Sequence, residues 1–415
     1  MRRLGVLGVA ALSALTSAGL AACGGSSSSA PRTVHVPRDQ PTIQQAVDRA
    51  RPGDLVLIAA GEYHESITVT TPRIVIRGVD RNAVVIDGKF AFENGFTVKA
   101  DGVAVENLTV RNFNANGVLF SGLIQQSSGG GQPLVGYRAS YVTTYDNGLY
   151  GLYAFAARDG VFEHSYASGH PDSGFYIGQC KPCNAVVRDV IGEHNAIGYE
   201  GTNSSTDVFV VSSTFTNNRV GITTGSQDLE LLAPQGGATV AGNRVLDNDD
   251  PTAPATGEGA FGYGIAITGG TSDVVTKNRV TGHDGGGILV TDLGRFPPQD
   301  NRVEGNVLAG NRVDLAFMVV GNPGPASGNC FAGNTYTTSI PESIEARLPC
   351  AGTGAGSGGP SLSVPAIAAP GGPDFRTLPA PPNQPEMPNA ATAPAQPAVD
   401  VDWHVDVNAL SVPSA

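Results

Sequence analysis

Ionisable side chains recur at fixed distances from a series of glycines in the middle of the chain. His170, His194 and His283 each stand four positions before such a glycine, and Arg138 and Arg188 each stand ten positions before one. If the glycines stack in successive layers of a sheet, His170 and His194 lie about 5 Å apart in adjacent layers. Two imidazoles at that distance form a titratable pair that could move a proton.

Tyrosine and carboxylate side chains form another column, two positions after the glycines: Tyr150, Tyr176 and Glu200. The position directly after each glycine is mostly apolar, so alternation along a strand places this column on the outer surface. Stacked tyrosines beside a carboxylate can hold sugar rings and transfer a proton. We therefore predict His170, His194 and Glu200 as catalytic residues. The predicted substrate-binding residues are Tyr150, Tyr176, Arg138, Arg188, Asp172 and Glu193, the last two because they flank the histidines.

The same columns are also compatible with two simpler roles. Aromatic and polar side chains on an outer sheet face can stabilise the sheet through cross-strand contacts alone. They can also bind a ligand without changing it. Spacing leaves these alternatives open, because it fixes neither the pKa of an imidazole nor the distance between two side chains.

The glycines themselves mark a repeat. They are Gly117, Gly148, Gly174, Gly198, Gly221, Gly264 and Gly287, with spacings of 31, 26, 24, 23, 43 and 23 residues. A base period near 23–24 residues with insertions is typical of a solenoid. Short β-branched runs lie between the glycines, separated by Gly, Asn and Asp, and each repeat holds two or three of them. This pattern predicts an all-β protein in which each repeat is one coil of a parallel β-helix.

Asparagines near the turns fit this architecture. Asn tolerates the left-handed backbone conformation of a turn, and its amide can bond to the coil above or below. We predict structural ladders rather than a ligand site for Asn116, Asn147, Asn195, Asn218, Asn278, Asn306 and Asn311.

The first coil needs a cover, because the open end of a stacked sheet exposes unpaired backbone groups. The segment "PTIQQAVDRARPGD" predicts a short amphipathic helix with Ile43, Ala46 and Val47 on its apolar face. Thr42 and Gln45 have the spacing of a capping box, and Gly53 follows the end of the helix.

The amino terminus predicts export. A basic start precedes an apolar segment from Leu4 to Leu20, which is typical of a signal peptide. The following "AAC" and "GGSSSS" resemble a bacterial lipoprotein signal, cleaved before a lipid-modified Cys23; a plain secretory signal is the alternative. We predict a signal peptide over 1–22, a flexible tether over 23–32, the β-helix over 33–351 and a low-complexity tail over 352–415. The predicted location is the cell membrane, lipid-anchored and facing the extracytoplasmic side.

Cysteine usage agrees with an oxidising compartment. Besides Cys23 the chain has four cysteines, and an even number outside the cytoplasm predicts disulfides. Cys180 and Cys183 would staple a loop, and Cys330 and Cys350 would close the end of the folded region. Free or metal-linked thiols and a redox site remain alternatives for the Cys-Lys-Pro-Cys motif, although no helix is predicted after it.

Composition limits the partners. The formal charge of −12 argues against nucleic acid and anionic lipid by bulk electrostatics. We predict a polysaccharide partner, membrane contact only through the N-terminal lipid, a monomer, and neither a cofactor nor a metal site.

The segment from Pro41 to Gly88 closely resembles the opening of right-handed parallel β-helix proteins of the pectin-lyase-like superfamily, such as pectin methylesterases and NosD-type periplasmic proteins. The later "DSGFYIGQC", "NAIGYEGTNSS" and "VGITTGSQ" resemble β-helix repeats of the carbohydrate-binding and sugar-hydrolase type. The resemblance spans about residues 33–350 and implies a right-handed parallel β-helix. It says little about activity, since this superfamily contains lyases, hydrolases, esterases, epimerases and non-catalytic binders.

Enzyme motifs of the superfamily are mostly missing from the sequence. The Asp pair of methylesterases, the Gly-His-Gly of polygalacturonases and the Asp cluster of calcium-dependent lyases have no matching segment. Gly169-His170-Pro171-Asp172 contains the residue types of the epimerase Asp-Pro-His motif in another order. The resemblance alone admits Ca²⁺ as a cofactor.

The last part of the chain is rich in Pro, Ala and Gly, which predicts a disordered or extended tail. Its end, "VDVDWHVDVNALSV", alternates and contains Trp403, so it is either a strand that docks on the solenoid or a recognition tag. Three functions follow, in this order: a surface lipoprotein that binds polysaccharide, a polysaccharide lyase, hydrolase or epimerase, and a NosD-like maturation or assembly factor.

Overall fold

The computed structural model describes residues 30–124, 131–228, 230–255, 259–321, 324–351 and 367–414. The predicted signal peptide, Cys23 and most of the tether lie outside the described residues. No helix in the described ranges is long and apolar enough to cross a membrane.

Short strands dominate the chain, as predicted. The first half of the strands is β1 Thr33–Val36, β2 Leu55–Ile58, β3 Gly61–Tyr63, β4 Ile67–Val69, β5 Val75–Gly78, β6 Val84–Asp87, β7 Asn94–Val98, β8 Val103–Arg111, β9 Asn116–Ser121, β10 Leu134–Tyr145, β11 Leu152–Phe155, β12 Ala157–Glu163, β13 Tyr166–Ser168, β14 Ser173–Cys180 and β15 Ala185–Arg188. The second half is β16 Ile191–Glu193, β17 Ile197–Val211, β18 Thr214–Thr216, β19 Val220–Gly225, β20 Gly236–Ala241, β21 Arg244–Leu246, β22 Tyr263–Thr268, β23 Val274–Thr276, β24 Arg279–Thr281, β25 Gly286–Thr291, β26 Arg302–Glu304, β27 Val307–Ala309, β28 Leu315–Met318, β29 Cys330–Ala332 and β30 Ser339–Ile340. The helices are α1 Ile43–Arg49 and α2 Ile344–Arg347, with 3-10 turns at Phe375–Thr377 and Val407–Ala409.

The strands pair in parallel and form three faces around one apolar core, which confirms the parallel β-helix. Face 1 runs through β1, β2, β5, β8, β10, β12, β15, β17, β20, β23, β26 and β29. Face 2 runs through β3, β6, β8, β10, β13, β16, β18, β21, β24 and β27. Face 3 runs through β4, β7, β9, β11, β14, β17, β19, β22, β25, β28 and β30.

Both ends of the solenoid are closed. At the first coil, helix α1 buries Ile43, Ala46 and Val47, and Thr42 Oγ1 accepts a hydrogen bond from Gln45 N at 3.2 Å, as the spacing predicted. At the last coil, helix α2 buries Ile344. The disulfide Cys330–Cys350 closes this end of the solenoid, as predicted.

Asparagine side chains form ladders between coils, which confirms their predicted structural role. Asn195 N and Nδ2 both donate to Asn218 Oδ1, and Asn218 repeats the pattern on Asn248. A second ladder runs through Asn243, Asn278, Asn306 and Asn334 and ends on the carboxylate of Glu345 in α2. The buried amides of these two ladders therefore have their partners inside the fold.

The glycine predicted for one of the repeats is the wrong one. Leu152 pairs with Phe175 across β11 and β14, so Gly151 rather than Gly148 stacks on Gly174. Gly148 lies in the preceding turn, which is three residues longer than the alignment on Gly148 assumed. The column two positions after the true repeat glycine is therefore Tyr153, Tyr176 and Glu200.

The prediction of a disordered tail is wrong for residues 367–414, which lie along the solenoid without forming strands. Cations of the solenoid donate hydrogen bonds to tail carbonyls. Arg77 Nη1 donates to Ala393 O at 2.6 Å, Arg81 Nη1 to Pro385 O at 2.8 Å, and Lys277 Nζ to Leu410 O at 2.9 Å. Composition predicts whether a segment can build a core of its own, and this tail instead docks on one that exists already.

The end of the tail packs on face 1 through alternate side chains. Val401, Trp403, Val405 and Val407 are partly buried while the residues between them are exposed, and they contact an apolar strip on face 1. That strip consists of Val161, Val186, Val211 and Ala241. Of the two predicted roles, the docking segment is the one the structure supports, although its backbone is irregular rather than a strand.

Candidate functional site

The outer surface of face 3 carries an aromatic cluster. In β14 and β17 the inward residues Phe175 and Tyr199 are fully buried, so Tyr176 and Glu200 project to the opposite side, as the alternation predicted. Tyr153 lies directly beside Tyr176 in the adjacent strand. Sequence reasoning missed Tyr153 because the misplaced glycine assigned its position to Tyr150.

The three tyrosine rings of this cluster pack against one another. Tyr150 reaches over from its turn, with its ring centroid 4.6 Å from that of Tyr153 and 4.7 Å from that of Tyr176. Tyr153 and Tyr176 meet edge to face at 4.8 Å. Tyr150 and Tyr153 remain partly exposed, whereas Tyr176 is buried between them. The result is a rigid aromatic surface with one accessible side.

Two carboxyl groups stand beside the rings. Asp172 and Glu200 lie close enough together for the hydroxyl of Ser173 to reach both. Ser173 Oγ lies 2.6 Å from Glu200 Oε2 and 3.0 Å from Asp172 Oδ1, and Thr202 Oγ1 donates to Glu200 Oε1 at 2.9 Å. Burial, then the charges of Asp172 and Glu200, raises the pKa of Tyr150.

The pair has perturbed acidity. Burial, then the nearby charge of Asp172, raises the pKa of Glu200 to about 7. Burial also raises the pKa of Asp172. Below about pH 7 the two carboxyl groups together therefore keep one proton, and the pair carries about one negative charge instead of two.

The extra residue in the turn before β14 explains the position of Asp172. Face 2 pairs Ser168 with Glu193, whereas face 3 pairs Ser173 with Ile197, so this turn is one residue longer than the next. Asp172 occupies the additional position and leans over Glu200. Spacing alone gave Asp172 only as a neighbour of His170.

A third carboxylate, Glu230, reaches the tyrosines from the loop after β19. Its Oε2 accepts hydrogen bonds from Gln179 Nε2 and, at 2.9 Å, from Asn203 Nδ2. Its charge contributes to raising the pKa values of Tyr153 and Tyr176, after burial. No sequence signal marked Glu230, because it lies in an insertion rather than in the repeat.

The Cys-Lys-Pro-Cys motif closes the edge of the same coil. Cys180 ends β14 and forms a disulfide with Cys183, which confirms the loop staple and excludes the free-thiol alternative in this structure. Ser205 N donates to Cys183 Sγ at 3.1 Å. The staple therefore fixes the end of the strand that carries Tyr176.

His170 is not placed for catalysis. The imidazole is fully buried in the asparagine ladder, where Nδ1 donates to Asn195 Oδ1 at 2.8 Å and Nε2 accepts from Asn147 Nδ2 at 3.2 Å. Burial lowers its pKa to about 4. His170 thus stacks on Asn195 rather than on His194, and the predicted imidazole pair does not form.

His194 and Glu193 belong to another surface, at the end of face 2. His194 Nδ1 lies 2.9 Å from Asp250 Oδ2, and Glu193 Oε1 accepts from the hydroxyl of Tyr166 at 2.6 Å. Neither side chain joins the cluster on face 3, where Glu200 lies. Of the predicted catalytic residues, only Glu200 is therefore at this site.

The predicted basic column lies on face 1 rather than beside the tyrosines. Arg138 Nη2 contacts Glu106 Oε1 at 2.5 Å and Gln396 O, while Arg188 Nη2 contacts Glu163 Oε2 at 2.7 Å. These guanidinium groups are occupied by carboxylates and by the tail. The structure places Arg138 and Arg188 away from Tyr176, and their role in substrate binding stays a prediction.

A small cavity of about 170 Å³ adjoins the carboxyl pair. It is lined by Asp172, Thr223 and Arg219 together with Ala255 and Ala260 of the insertion before β22. Arg219 is buried and donates to the carbonyls of Ala253 and Pro370. The insertion thus forms one wall of the cavity beside Asp172.

The fold and the sequence comparison define the class of the protein. The A-module of Azotobacter vinelandii mannuronan C-5 epimerase AlgE4 superposes on this protein with a TM-score of 0.51 and 14% sequence identity. The match covers 69% of this chain and 88% of the AlgE4 module. An alginate lyase from Paenibacillus sp. matches 74% of this chain and 99% of its own, with a TM-score of 0.42 and 18% identity. The likeness to the AlgE4 A-module shows the fold, a parallel β-helix.

The family model of NosD, described as periplasmic copper-binding protein, matches residues 131–346, just over half of the chain. The chain belongs to the NosD family. No curated protein sequence matches it.

Proposed function

We propose that this protein binds an uncharged polysaccharide on the outer surface of face 3. The observation that carries the proposal is the partly exposed tyrosine surface beside Asp172 and Glu200, the two carboxyl groups that the Ser173 hydroxyl reaches. Aromatic rings pack against the apolar faces of sugar rings, and carboxyl oxygens accept hydrogen bonds from sugar hydroxyls. The tyrosines and the carboxyl groups are held on a rigid sheet, so binding a glycan costs them little conformational entropy.

Charge favours a neutral glycan over a polyuronate. Around the tyrosines the charged groups are Asp172, Glu200 and Glu230, and their combined field repels a carboxylate-bearing chain. The nearest cation of the adjoining cavity, Arg219, already donates to backbone carbonyls. A lyase or epimerase acting on uronates would need a cation to stabilise the substrate carboxylate.

An enzymatic role is the second candidate, and the raised pKa of Glu200 favours it. A carboxyl group that keeps its proton near neutral pH can act as a general acid. Ser173 Oγ lies within 3.0 Å of both Asp172 and Glu200, so the two carboxyl groups are too close for the water that an inverting glycosidase places between groups about 6.5–9.5 Å apart. Binding without turnover therefore ranks first.

Copper binding, which the family description names, is the third candidate function. Copper sites take several imidazole, thiolate or thioether ligands. Among the described residues no group of three His, Cys, Asp or Glu side chains could hold one metal ion. His170 and His283 are ladder residues, and Cys180, Cys183, Cys330 and Cys350 are in disulfides. The described donors do not fit a copper site.

Export with lipid attachment at Cys23 is part of the proposal. It is supported by the signal-like N-terminus, the disulfides and the periplasmic description of the family. Labelled fatty acid fed to the producing cells should enter the wild-type protein and not the Cys23→Ala variant. Equal labelling of both would contradict the anchor.

The test of function incubates the full chain with neutral and acidic polysaccharides and follows binding by calorimetry and the glycans by NMR and mass spectrometry. We expect retention of a neutral glycan with its structure unchanged. New ends, lost substituents or inverted sugars that disappear in Glu200→Gln would instead establish the enzyme. Binding confined to acidic glycans would overturn the proposal.

A further inference from the structure

A turn motif recurs along the solenoid. Asp146, Asp247 and Asp300 each adopt a positive φ, near 50°, at a corner of a coil. The carboxylate of each lies against a glycine of the next coil, at a point where any larger side chain would collide with it: Gly169, Gly282 and Gly328, respectively. The motif is structural, because it serves several coils alike.

Asp146 differs from the other two in its surroundings. Asp247 and Asp300 are exposed, whereas Asp146 is only 6% exposed because the tail crosses over its corner. Between Asp146 and the tail segment from Leu378 to Pro382 lies a cavity of about 320 Å³. Tyr166, Glu193 and His194 line the same cavity.

The cavity offers hydrogen-bond acceptors and few free donors. The Tyr166 hydroxyl is used by Glu193, and His194 Nδ1 is engaged with Asp250. The carboxylate of Asp146 has no hydrogen-bond partner in the described part of the chain, and burial raises its pKa to about 8.

Among the described residues, the positive charge of Arg111 lowers the pKa of Asp146 against the effect of burial, but the Arg111 guanidinium is hydrogen-bonded to Asp87, Tyr145 and Glu62 instead. Without a partner in the described chain, the buried carboxyl group of Asp146 keeps its proton near neutral pH, and a ligand that brings donors and positive charge would stabilise its ionised form.

We propose that this cavity binds a small organic ammonium compound of the size of one amino-sugar ring, with its ammonium group on Asp146 and Glu193. An ammonium has three donors for the free carboxyl oxygens. The prolines of the tail supply an apolar wall for the ring. A metal ion is the poorer fit, because the described residues include no group of three ligating side chains. The site is separate from the tyrosine surface of face 3, so it stands or falls independently of the glycan proposal.

The experiment titrates the full-length protein with glucosamine at pH 7 by calorimetry, with the uncharged N-acetylglucosamine and glucose alongside. Wild type should bind glucosamine and neither uncharged sugar, and Asp146→Asn should weaken binding by about tenfold or more, as expected for losing one charge-assisted contact. Asp247→Asn is the matched control, since it changes the same motif where no tail covers it. Absence of glucosamine binding to wild type, equal binding of the uncharged sugars, or unchanged binding to Asp146→Asn would each overturn the proposal.

Proteolysis supplies a second readout that a failure of Asp146→Asn to fold would not affect. Arg376 is the sole Lys or Arg after Arg347, and it lies next to the roof of the cavity. A ligand that bridges Asp146 and the tail should slow tryptic cleavage at Arg376 in wild type. Cleavage at the same rate with and without saturating glucosamine would contradict a site under the tail.

Discussion

Faces 1 and 3 of the solenoid present opposite kinds of outer surface. On face 1, the guanidinium groups of Arg77 and Arg138 share the carboxylate of Glu106 and also donate to the tail. On face 3, the rings of Tyr150 and Tyr153 stay partly exposed beside carboxyl groups. Polar groups satisfied by the chain itself have little left to offer a partner, so face 3 is the surface available for binding.

The largest effect is expected on face 1. Arg77 is fully buried, pairs with Glu106 at 2.7 Å and holds three tail carbonyls. Arg77→Ala should lower the free energy of unfolding by about 3 kcal/mol or more, because it leaves buried acceptors unpaired. Chemical denaturation measures this change, and the fluorescence of the single tryptophan, Trp403, should report an undocked tail.

Arg302→Ala is the control for that comparison, since Arg302 forms an exposed pair with Glu304. It should change stability by less than about 1 kcal/mol. Similar losses in both variants would mean that the tail adds nothing to the face 1 network.

The next prediction distinguishes a buried residue beneath face 3, His170, from the residues on its outer surface. His170→Ala should lower the free energy of unfolding by about 2–4 kcal/mol, because it leaves a cavity and the ladder amides unsatisfied. His170→Asn should recover most of this loss, since adjacent coils carry Asn147 and Asn195 at the equivalent position. Glycan binding should persist in His170→Asn, and its disappearance there would restore His170 to the site.

A smaller effect concerns acidity on face 3. Because the pKa of Glu200 is raised to about 7 in the folded protein from an ordinary 4.5, wild type should lose stability as the pH rises from about 4.5 to 7. Relative to Glu200→Gln, the loss should reach about 3 kcal/mol and then level off. Thermal unfolding across pH 4–8 measures it, with Glu342→Gln at an exposed position as the reference. A difference that does not vary with pH would show that Glu200 is not protonated in the folded state.

The smallest effect should be seen in affinity alone. Tyr153→Ala should weaken binding of the neutral glycan by about tenfold, as expected for losing one aromatic contact, and leave the fold intact. Tyr141→Ala is the matched control. Tyr141 is also partly exposed and packs against a ring, that of His164, but it lies at the corner between faces 1 and 2. Equal loss in both variants would remove the distinction between the surfaces.

The sequence was sufficient for the fold because the repeat is local. The period of turn glycines, the apolar alternation, the cap at Thr42 and the asparagine ladders all follow from residues within one or two coils. The glycan surface was found only in part. Gly148 and Gly151 are three residues apart in one turn, and nothing in their neighbours shows which one stacks, so Tyr153 was missed.

Features that depend on contacts between distant parts of the chain could not be predicted from the repeat. Spacing placed Arg138 and Arg188 in one column but could not show that the column lies on face 1, beneath the tail. Glu230 belongs to an insertion, and the segment that covers Asp146 belongs to the C-terminal tail. The positions of both depend on tertiary contacts alone.

The tail is recognised through its carbonyl oxygens, and this has a consequence for how its sequence can drift. Four of the bonded carbonyls belong to prolines: Pro370, Pro385, Pro394 and Pro413. Proline lacks an N–H and cannot extend a sheet, yet it keeps its carbonyl. Such a segment can exchange many side chains while staying in place, provided that the solenoid retains its arginines. Related proteins should therefore vary most in the tail and least in the cations beneath it.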